Sequence, residues 1–164
     1  MYQASVPVFV QILSALIKII DKAAAHAAAK KIDPAVLLGT RLTPDMFPLA
    51  RQFQLASDFA KNGAGRIAGV ELPKYPDEEK SFDQLKARLE KTIAFLKGLT
   101  PAQIEGSEGR EVSFQMGGKP VTFTGEAYLL SSAMPNFYFH ATTAYAILRQ
   151  SGVEVGKRDF LGMA

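Results

Sequence analysis

Apolar residues recur at every third or fourth position over several long segments, and this spacing restricts the fold of the chain most. Such spacing aligns apolar side chains on one stripe of an α-helix. The stripe of the first segment comprises Phe9, Ile12, Leu13, Leu16, Ile19, Ile20, Ala23 and Ala27. Polar residues such as Lys18 lie opposite. We therefore predict a first helix from about Val6 to about Lys30, ended by Asp33-Pro34.

A second helix is predicted after the segment LTPDMFPL. Thr43 is a suitable N-cap, and Pro44 suits the first helical position. Pro48 would remove a helical hydrogen bond, so the helix either kinks there or begins there. The stripe that follows comprises Leu49, Phe53, Ala56, Ala60, Gly63 and Ile67. Gln54 and Asp58 are predicted to point away from this stripe.

The segment SFDQLKARLEKTIAFLKGL predicts a third helix. Ser81 and Gln84 form a capping-box pattern at its start. Its stripe comprises Phe82, Leu85, Leu89, Thr92, Leu96 and Leu99. This helix has the clearest periodicity of the chain.

The apolar period then changes from helical spacing to alternation. In REVSFQMGGKPVTFTG, apolar and polar residues alternate on both sides of Gly117-Gly118. Two glycines between alternating segments are typical of a tight hairpin turn. A fourth helix is predicted from about Gly125 to about Gln150, with Gly152 as its stop.

These segments together predict an all-α fold: a four-helix bundle with a small β-hairpin between helices three and four. We assign residues 1–164 to a single domain, which is long enough to bury a core of its own. About a dozen residues separate helix one from helix two and helix two from helix three, so loop length leaves the topology open.

Composition excludes several classes of function. The chain has no cysteine, which excludes a disulfide framework, a thiolate metal site and a cysteine nucleophile. Its net charge is +3, but lysine and arginine are scattered, so we expect no nucleic-acid partner. The N-terminal apolar run lacks a basic start and is interrupted at Gln11, Ser14 and Lys18, which predicts neither a secretory signal nor a membrane span. We expect a cytoplasmic protein.

Polar side chains on two helices are predicted to face the interior, where helical bundles usually carry their sites. On helix four, His140 and Asn136 share the apolar face one turn apart. On helix two, Gln52 lies on the buried stripe, and Asp45 shares its face if the helix extends that far. The candidate ligand-binding residues are therefore Asp45, Gln52, Asn136 and His140, and the candidate general base is His140.

Two interpretations of this cluster remain open. An inward histidine and asparagine can form a hydrogen-bonded core pair beside Pro135, which is expected to kink the helix and free the carbonyl of Ser131. The other interpretation is a concave polar site, since buried polar groups are costly unless they are used. His26 lies at the edge of its apolar stripe and is expected at the boundary or in solvent.

Three segments carry a resemblance to a known family: RLTPDMFPLARQFQLASDFAK, GVELPKYPDEEKSFDQLKARLEKTIAFL and PNFYFHATTAYAILRQSGVEVGKRDFLG. The chain resembles an uncharacterised bacterial family in the DinB/YfiT-like superfamily of predicted metalloenzymes. The resemblance implies a four-helix bundle with unusual connections and a homodimer. It also implies a divalent metal held by three histidines, one on helix two and two in an H-x3-H pair on helix four.

The chain departs from this metal pattern. His140, followed by Leu148-Arg149, matches the last histidine of the pair, whereas the preceding position holds Asn136 and the helix-two position holds Gln52. Amides are poorer ligands than imidazole for zinc or nickel. The resemblance therefore implies the fold and the place of the site, and we expect neither a metal nor another cofactor in it.

Three functions follow as hypotheses. The first is a metal-free binding protein or degenerate enzyme, with a small polar or anionic molecule in a polar pocket between helices two and four. The second is a metal- or histidine-dependent transferase or isomerase that acts on a small thiol-linked or acidic substrate, with His140 as the candidate base. The sequence offers no obvious carboxylate to orient it besides Asp45. The third is a structural or interaction dimer without a ligand site.

Overall fold

The computed structural model describes residues 1–163, so the last residue of the assigned 1–164 domain lies outside it. These residues are mostly helical, with one two-stranded antiparallel sheet. The elements in chain order are α1 (Val6–Lys30), α2 (Pro34–Gly39), α3 (Leu49–Ala68), α4 (Phe82–Lys97), α5 (Pro101–Ile104), β1 (Glu111–Met116), β2 (Lys119–Thr124), α6 (Gly125–Tyr128), a π-helical turn (Leu129–Ala133), α7 (Met134–Gln150) and α8 (Lys157–Phe160). The prediction of a mainly helical chain with a hairpin before its last long helix is confirmed.

The long helices pack through their apolar stripes. α3 contacts both α4 and α7, and α1 contacts the same two helices. The stripes predicted for α1, α3 and α4 are buried and form the core between them. Phe9 of α1 meets Phe137 of α7 edge to face, with ring centroids 4.8 Å apart. Burial of these stripes favours folding by about 25 cal/mol per Å² of apolar surface.

The helix that carries Gln52 begins later than its first sequence signal. α3 starts at Leu49, and Pro48 occupies the N-cap position in an extended conformation. Of the two alternatives at Pro48, the structure has a helix start and no kink, because a proline without an N–H group is tolerated at a helix terminus. The preceding segment is a loop, in which the Leu49 N–H donates to the Thr40 carbonyl at 2.8 Å.

α4 is capped almost as its sequence predicts. Ser81 Oγ accepts a hydrogen bond from the Gln84 N–H at 3.2 Å. The reciprocal bond is displaced by one residue, because Gln84 Oε1 accepts from the Lys80 N–H at 2.7 Å. Both bonds satisfy backbone donors that the first helical turn leaves unpaired.

The hairpin is anchored to the helices by aromatic and cationic contacts. Gly117 and Gly118 form its turn at positive φ angles of 58° and 79°, which favour glycine. The Phe114 ring lies 5.4 Å from the Tyr128 ring, and the Arg66 guanidinium sits 4.0 Å from the Phe114 ring centroid. An isolated two-stranded hairpin is marginal in water, so these contacts stabilise it.

The last long helix is not a uniform α-helix. α6 passes into the π-helical turn, and the Met134 N–H bonds to the Leu129 carbonyl across this wider turn. Pro135 is the second residue of α7 and cannot donate to the preceding turn. This π-turn is the departure from α-helical geometry that the structure shows near Pro135, whereas the kink and the free Ser131 carbonyl stay predictions.

Arg88 of α4 fastens the connection between α3 and α4. Its side chain is 2% exposed and forms ion pairs with Asp58, Asp77 and Glu79, each at 3.0 Å. It also donates to the Pro76 carbonyl at 3.0 Å. A buried guanidinium is tolerated only when its donors are paired, so this cluster makes the connection part of the packed structure.

Gln54 faces this connection and Asp58 faces Arg88 of α4, so neither side chain points into open solvent. Gln54 is buried and donates to Glu79 Oε2 at 2.8 Å. The predicted direction away from the apolar stripe is therefore correct, but the segment 69–81 covers that face of α3.

The C-terminal segment packs onto the helices. The Phe160 ring lies 5.8 Å from the Tyr145 ring, and Asp159 pairs with Lys22 of α1 at 2.5 Å. Among residues 1–163, no helix combines the length and the apolar character needed to cross a membrane.

Candidate functional site

The predicted inward residues of α3 and α7 meet directly. His140 Nδ1 lies 2.8 Å from Gln52 Oε1. His140 is 8% exposed and Gln52 is 1% exposed. Both lie on apolar stripes, so packing of the two helices brings the side chains together. No atom fits between them at this distance, and a bound molecule would therefore lie beside the pair.

The loop before α3 determines the orientation of the Gln52 amide. Gln52 Nε2 donates to the Phe47 carbonyl oxygen at 3.0 Å. A carbonyl only accepts, so the amide nitrogen must face Phe47 and the amide oxygen must face His140. His140 Nδ1 therefore donates to Gln52 Oε1. A neutral imidazole has one N–H, so Nε2 carries the free lone pair.

Aromatic rings and one arginine surround the imidazole. The Phe59 ring stacks on it with centroids 5.5 Å apart and an interplanar angle of 13°. The Phe139 ring meets it edge to face at 5.2 Å. Burial, and secondly the positive charge of Arg51, lower the pKa of His140 to about 4. The side chain is therefore neutral at physiological pH.

The second ring nitrogen of His140 is accessible. Within residues 1–163, Nε2 has no hydrogen-bond partner. Among these residues, Ser107 Oγ is the one side-chain polar atom that is both shielded from solvent and unpaired, so His140 Nε2 is not shielded. Solvent therefore reaches Nε2. The pair consequently presents one hydrogen-bond acceptor at the surface of an otherwise apolar contact.

Asn136 is placed differently from His140. It is half-buried, and its Nδ2 donates to the Ser132 carbonyl of the preceding helical turn at 2.8 Å. Among the described residues no hydrogen bond joins it to His140 or Gln52. The π-turn ends just before this position, so the asparagine amide supplements the backbone bonding of the helix there.

Asp45 does not share the face of Gln52. The prediction required α3 to extend back to Asp45, but the helix begins at Leu49. Asp45 is exposed in the preceding loop, where Thr43 Oγ1 donates to its carboxylate at 2.7 Å and holds its pKa below the usual value. The group that orients His140 is the Gln52 amide and not a carboxylate.

A groove lies on the surface of α7 beside Phe139, and neither His140 nor Gln52 lines it. It has a volume of about 440 Å³ and is lined by Leu42, Pro135, Tyr138, Phe139, Thr142, Thr143 and Ala146. It shares Phe139 with the surroundings of the imidazole. Of the described residues that line it, none carries a charge. His26 is half-buried and lines a separate cavity with Lys30 and Glu154.

Comparison with known proteins places the chain in a family. The family model described as "Domain of unknown function (DUF1993)" matches residues 1–161. The chain belongs to this family. A solved structure with similar fold is that of a DinB family member protein from Shewanella denitrificans, with 40% sequence identity and a TM-score of 0.90. The match covers 98% of this chain and 91% of that one. No curated protein matches the chain.

The side chains of this DUF1993 member do not fit a divalent metal at the implied position. Gln52 uses its oxygen for His140 and its nitrogen for Phe47, and the Asn136 nitrogen is bonded to its own helix. One imidazole nitrogen, one fully engaged amide and the oxygen of a second amide are a poor donor set for zinc or nickel. Within residues 1–163 no three histidine, aspartate or glutamate side chains group closely enough to hold a metal ion.

Sequence reasoning missed the residues that set the properties of His140. Phe59 stacks on the imidazole, and residue spacing along one helix does not indicate such a contact with another helix. Arg51 lies outside the stripe and gave no signal. Phe47 contributes only its backbone carbonyl. Every residue type carries this group, so the residue type at position 47 could not indicate the contact.

Proposed function

We propose that this DUF1993 member is a metal-free binding protein of the DinB-like four-helix-bundle class, and that a small molecule binds beside the His140–Gln52 pair. The observation that carries the proposal is the accessible Nε2 of His140, an acceptor without a protein partner in residues 1–163. Binding sites typically combine an apolar wall with a few convergent polar groups. The groove on α7 and the Phe139 ring supply such a wall.

The packing of the long helices supports the bundle part of the proposal. α1 and α3 each contact both α4 and α7, and they also contact each other. The similarity to the Shewanella denitrificans DinB family member extends over almost the whole chain. Placement in the DinB/YfiT-like superfamily is part of this proposal, whereas the metal chemistry of that superfamily is not.

The geometry favours binding over histidine-dependent catalysis. An efficient general base has a pKa near the working pH. A pKa of about 4 leaves His140 neutral but gives it little driving force to take a proton. The amide of Gln52 also stabilises a developing imidazolium less than a carboxylate would.

A protein-interaction role is the second candidate, because large apolar side chains are exposed around the same site. Phe47 is 55% exposed and Phe139 is 54% exposed. Exposed apolar patches commonly mark interaction sites. Sedimentation of the wild type and of Phe139→Ser separates the candidates, since a homodimer through this face would dissociate in the variant.

Metal analysis and ligand screening test the proposal together. We expect purified protein to carry no stoichiometric zinc or nickel, and to be stabilised against heat by a small molecule that fails to stabilise His140→Leu. His26→Leu is the matched control, because His26 lines another cavity. A stoichiometric metal that is lost in His140→Leu would overturn the metal-free proposal.

A further inference from the structure

The hydrogen-bond roles at His140 restrict which group a ligand can present. Because the Phe47 carbonyl orients the Gln52 amide, Nδ1 is the donor and Nε2 is the acceptor. A carboxylate or phosphate oxygen also accepts, so it would face the Nε2 lone pair without a proton between them. Only a group with an O–H or N–H can complete the hydrogen bond.

A cationic donor is disfavoured by the neighbouring arginine. Arg51 precedes Gln52 on α3, and its guanidinium lies 5.9 Å from the ring centroid of Phe47, the residue whose carbonyl holds the Gln52 amide. Its positive charge lowers the pKa of His140, and this effect is smaller than that of burial. Arg51 also pairs with Asp77, which offsets part of its charge, and the remainder opposes an ammonium group at Nε2. The donor group is therefore an uncharged one.

The surroundings favour an apolar body on the ligand. Phe59 stacks on the imidazole and Phe139 meets it edge to face, so hydrocarbon surfaces flank the ring. The groove of about 440 Å³ on the other side of Phe139 has a volume suited to a small molecule, and its described lining is uncharged. A charged ligand would lose hydration against these rings, and an anion would in addition find no hydrogen-bond donor at Nε2.

We infer that the site takes an uncharged molecule with an apolar body and one O–H or N–H group, such as an alcohol or a phenol, which donates a hydrogen bond to His140 Nε2. This inference rests on the proposed function. It names the ligand class of the same site and replaces the polar or anionic molecule expected from the sequence.

Four probes with one phenyl ring test the inference: benzyl alcohol, toluene, benzoate and benzylammonium. Each is titrated at pH 7 into full-length protein with ¹⁵N-labelled histidine, and the ring nitrogens of His140 and His26 are followed by NMR. We expect benzyl alcohol to shift the Nε2 resonance of His140 and to bind about tenfold more tightly than the other three, which corresponds to one additional hydrogen bond. His26 is the internal control.

The outcomes separate the ligand class from the proposed function. If benzoate or benzylammonium binds most tightly, the inference of an uncharged ligand is overturned, whereas the proposed binding site is retained. Equal binding of toluene and benzyl alcohol would overturn the hydrogen bond to Nε2. If no probe moves the His140 signals up to its solubility limit, the ligand class and the proposed function both fail.

Two substitutions extend the test beyond the wild type. Gln52→Glu places a carboxylate against Nδ1 and favours the imidazolium, so Nε2 becomes a donor and benzoate should become the preferred probe by about tenfold. Gln115→Glu adds the same charge on the exposed hairpin and should leave the order of affinities unchanged. If Gln52→Glu does not fold, Arg51→Gln serves instead. Loss of the positive charge should strengthen the binding of benzylammonium and of no other probe. Unchanged preferences in a folded variant would contradict the inference.

Discussion

His140 Nδ1 donates to Gln52 Oε1 at 2.8 Å, and this bond joins α7 to α3 across 88 positions of the chain. The bond has two consequences. It satisfies polar groups that packing of the helices has buried, and it assigns the imidazole proton to Nδ1. The first consequence concerns stability, whereas the second decides what the open nitrogen can bind.

Removal of Gln52 should destabilise the fold. In Gln52→Leu, the Nδ1–H of His140 and the Phe47 carbonyl lose their partner, so we expect a loss of about 2 kcal/mol in the free energy of unfolding, measured with urea. The double variant Gln52→Leu/His140→Leu should lose less than the sum of the single variants, because both partners become apolar. Strictly additive losses would contradict the coupling.

The buried imidazole should make stability depend on pH. The pKa of His140 is about 4 in the folded protein and 6.5 for an ordinary histidine, so between these values only the unfolded chain takes the proton. The free energy of unfolding should therefore fall as the pH drops from 6.5 to 4. Since Nε2 is open to solvent and its charge partly screened, we expect this histidine to account for about 2 kcal/mol.

The control for this pH dependence is His140→Asn, whose amide can still donate to Gln52 but does not titrate in this range. Subtraction of its unfolding profile from that of the wild type removes the contributions of all other groups. A difference that stays constant from pH 6.5 to 4 would show that the folded imidazole titrates normally.

Loss of the charge on Arg51 should raise the pKa of His140. Burial is the larger cause of the low value and Arg51 the smaller, so Arg51→Met should move the pKa upward without restoring 6.5. Arg51→Lys keeps a positive charge and should change the pKa less. NMR titration of the ring nitrogens measures both variants, and a lower pKa in Arg51→Met would refute this electrostatic assignment.

Arg88 should contribute strongly to stability. Arg88→Met leaves Asp58, Asp77 and Glu79 without their shared cation, and we expect a loss of about 3–5 kcal/mol in the free energy of unfolding. Lys86→Met on the same helix is the control. Lys86 pairs with Asp21 at the surface, so its removal should have little effect. Equal losses in the two variants would contradict a special role for the buried cluster.

Helical periodicity in the sequence predicted the parts of the fold that depend on burial of regular stripes. Leu49, Phe53 and Ile67 lie on the predicted buried face of α3, and Gly117-Gly118 forms the predicted turn. It did not predict the burial of Gln54 or Arg88, since the phase of a single helix cannot show which face an irregular connection will cover.

The sequence likewise predicted only part of the candidate site. The helical phase of the two segments placed Gln52 and His140 on inward faces, and the structure brings the two side chains into contact. It did not predict that α3 begins after Pro48, and this start places the Phe47 carbonyl against the Gln52 amide and leaves Asp45 in the loop. Amide orientation and imidazole tautomer depend on such backbone groups, which residue identity does not encode.

The protonation of His140 at pH 7 tests the account most directly. Long-range ¹H–¹⁵N NMR of the histidine side chains in purified, full-length protein distinguishes protonated from unprotonated ring nitrogens. We predict a protonated Nδ1 and an unprotonated Nε2 whose signals are unaffected by equimolar zinc. A proton on Nε2, an imidazolium, or a zinc-dependent shift of the His140 signals would contradict a metal-free site that presents a hydrogen-bond acceptor.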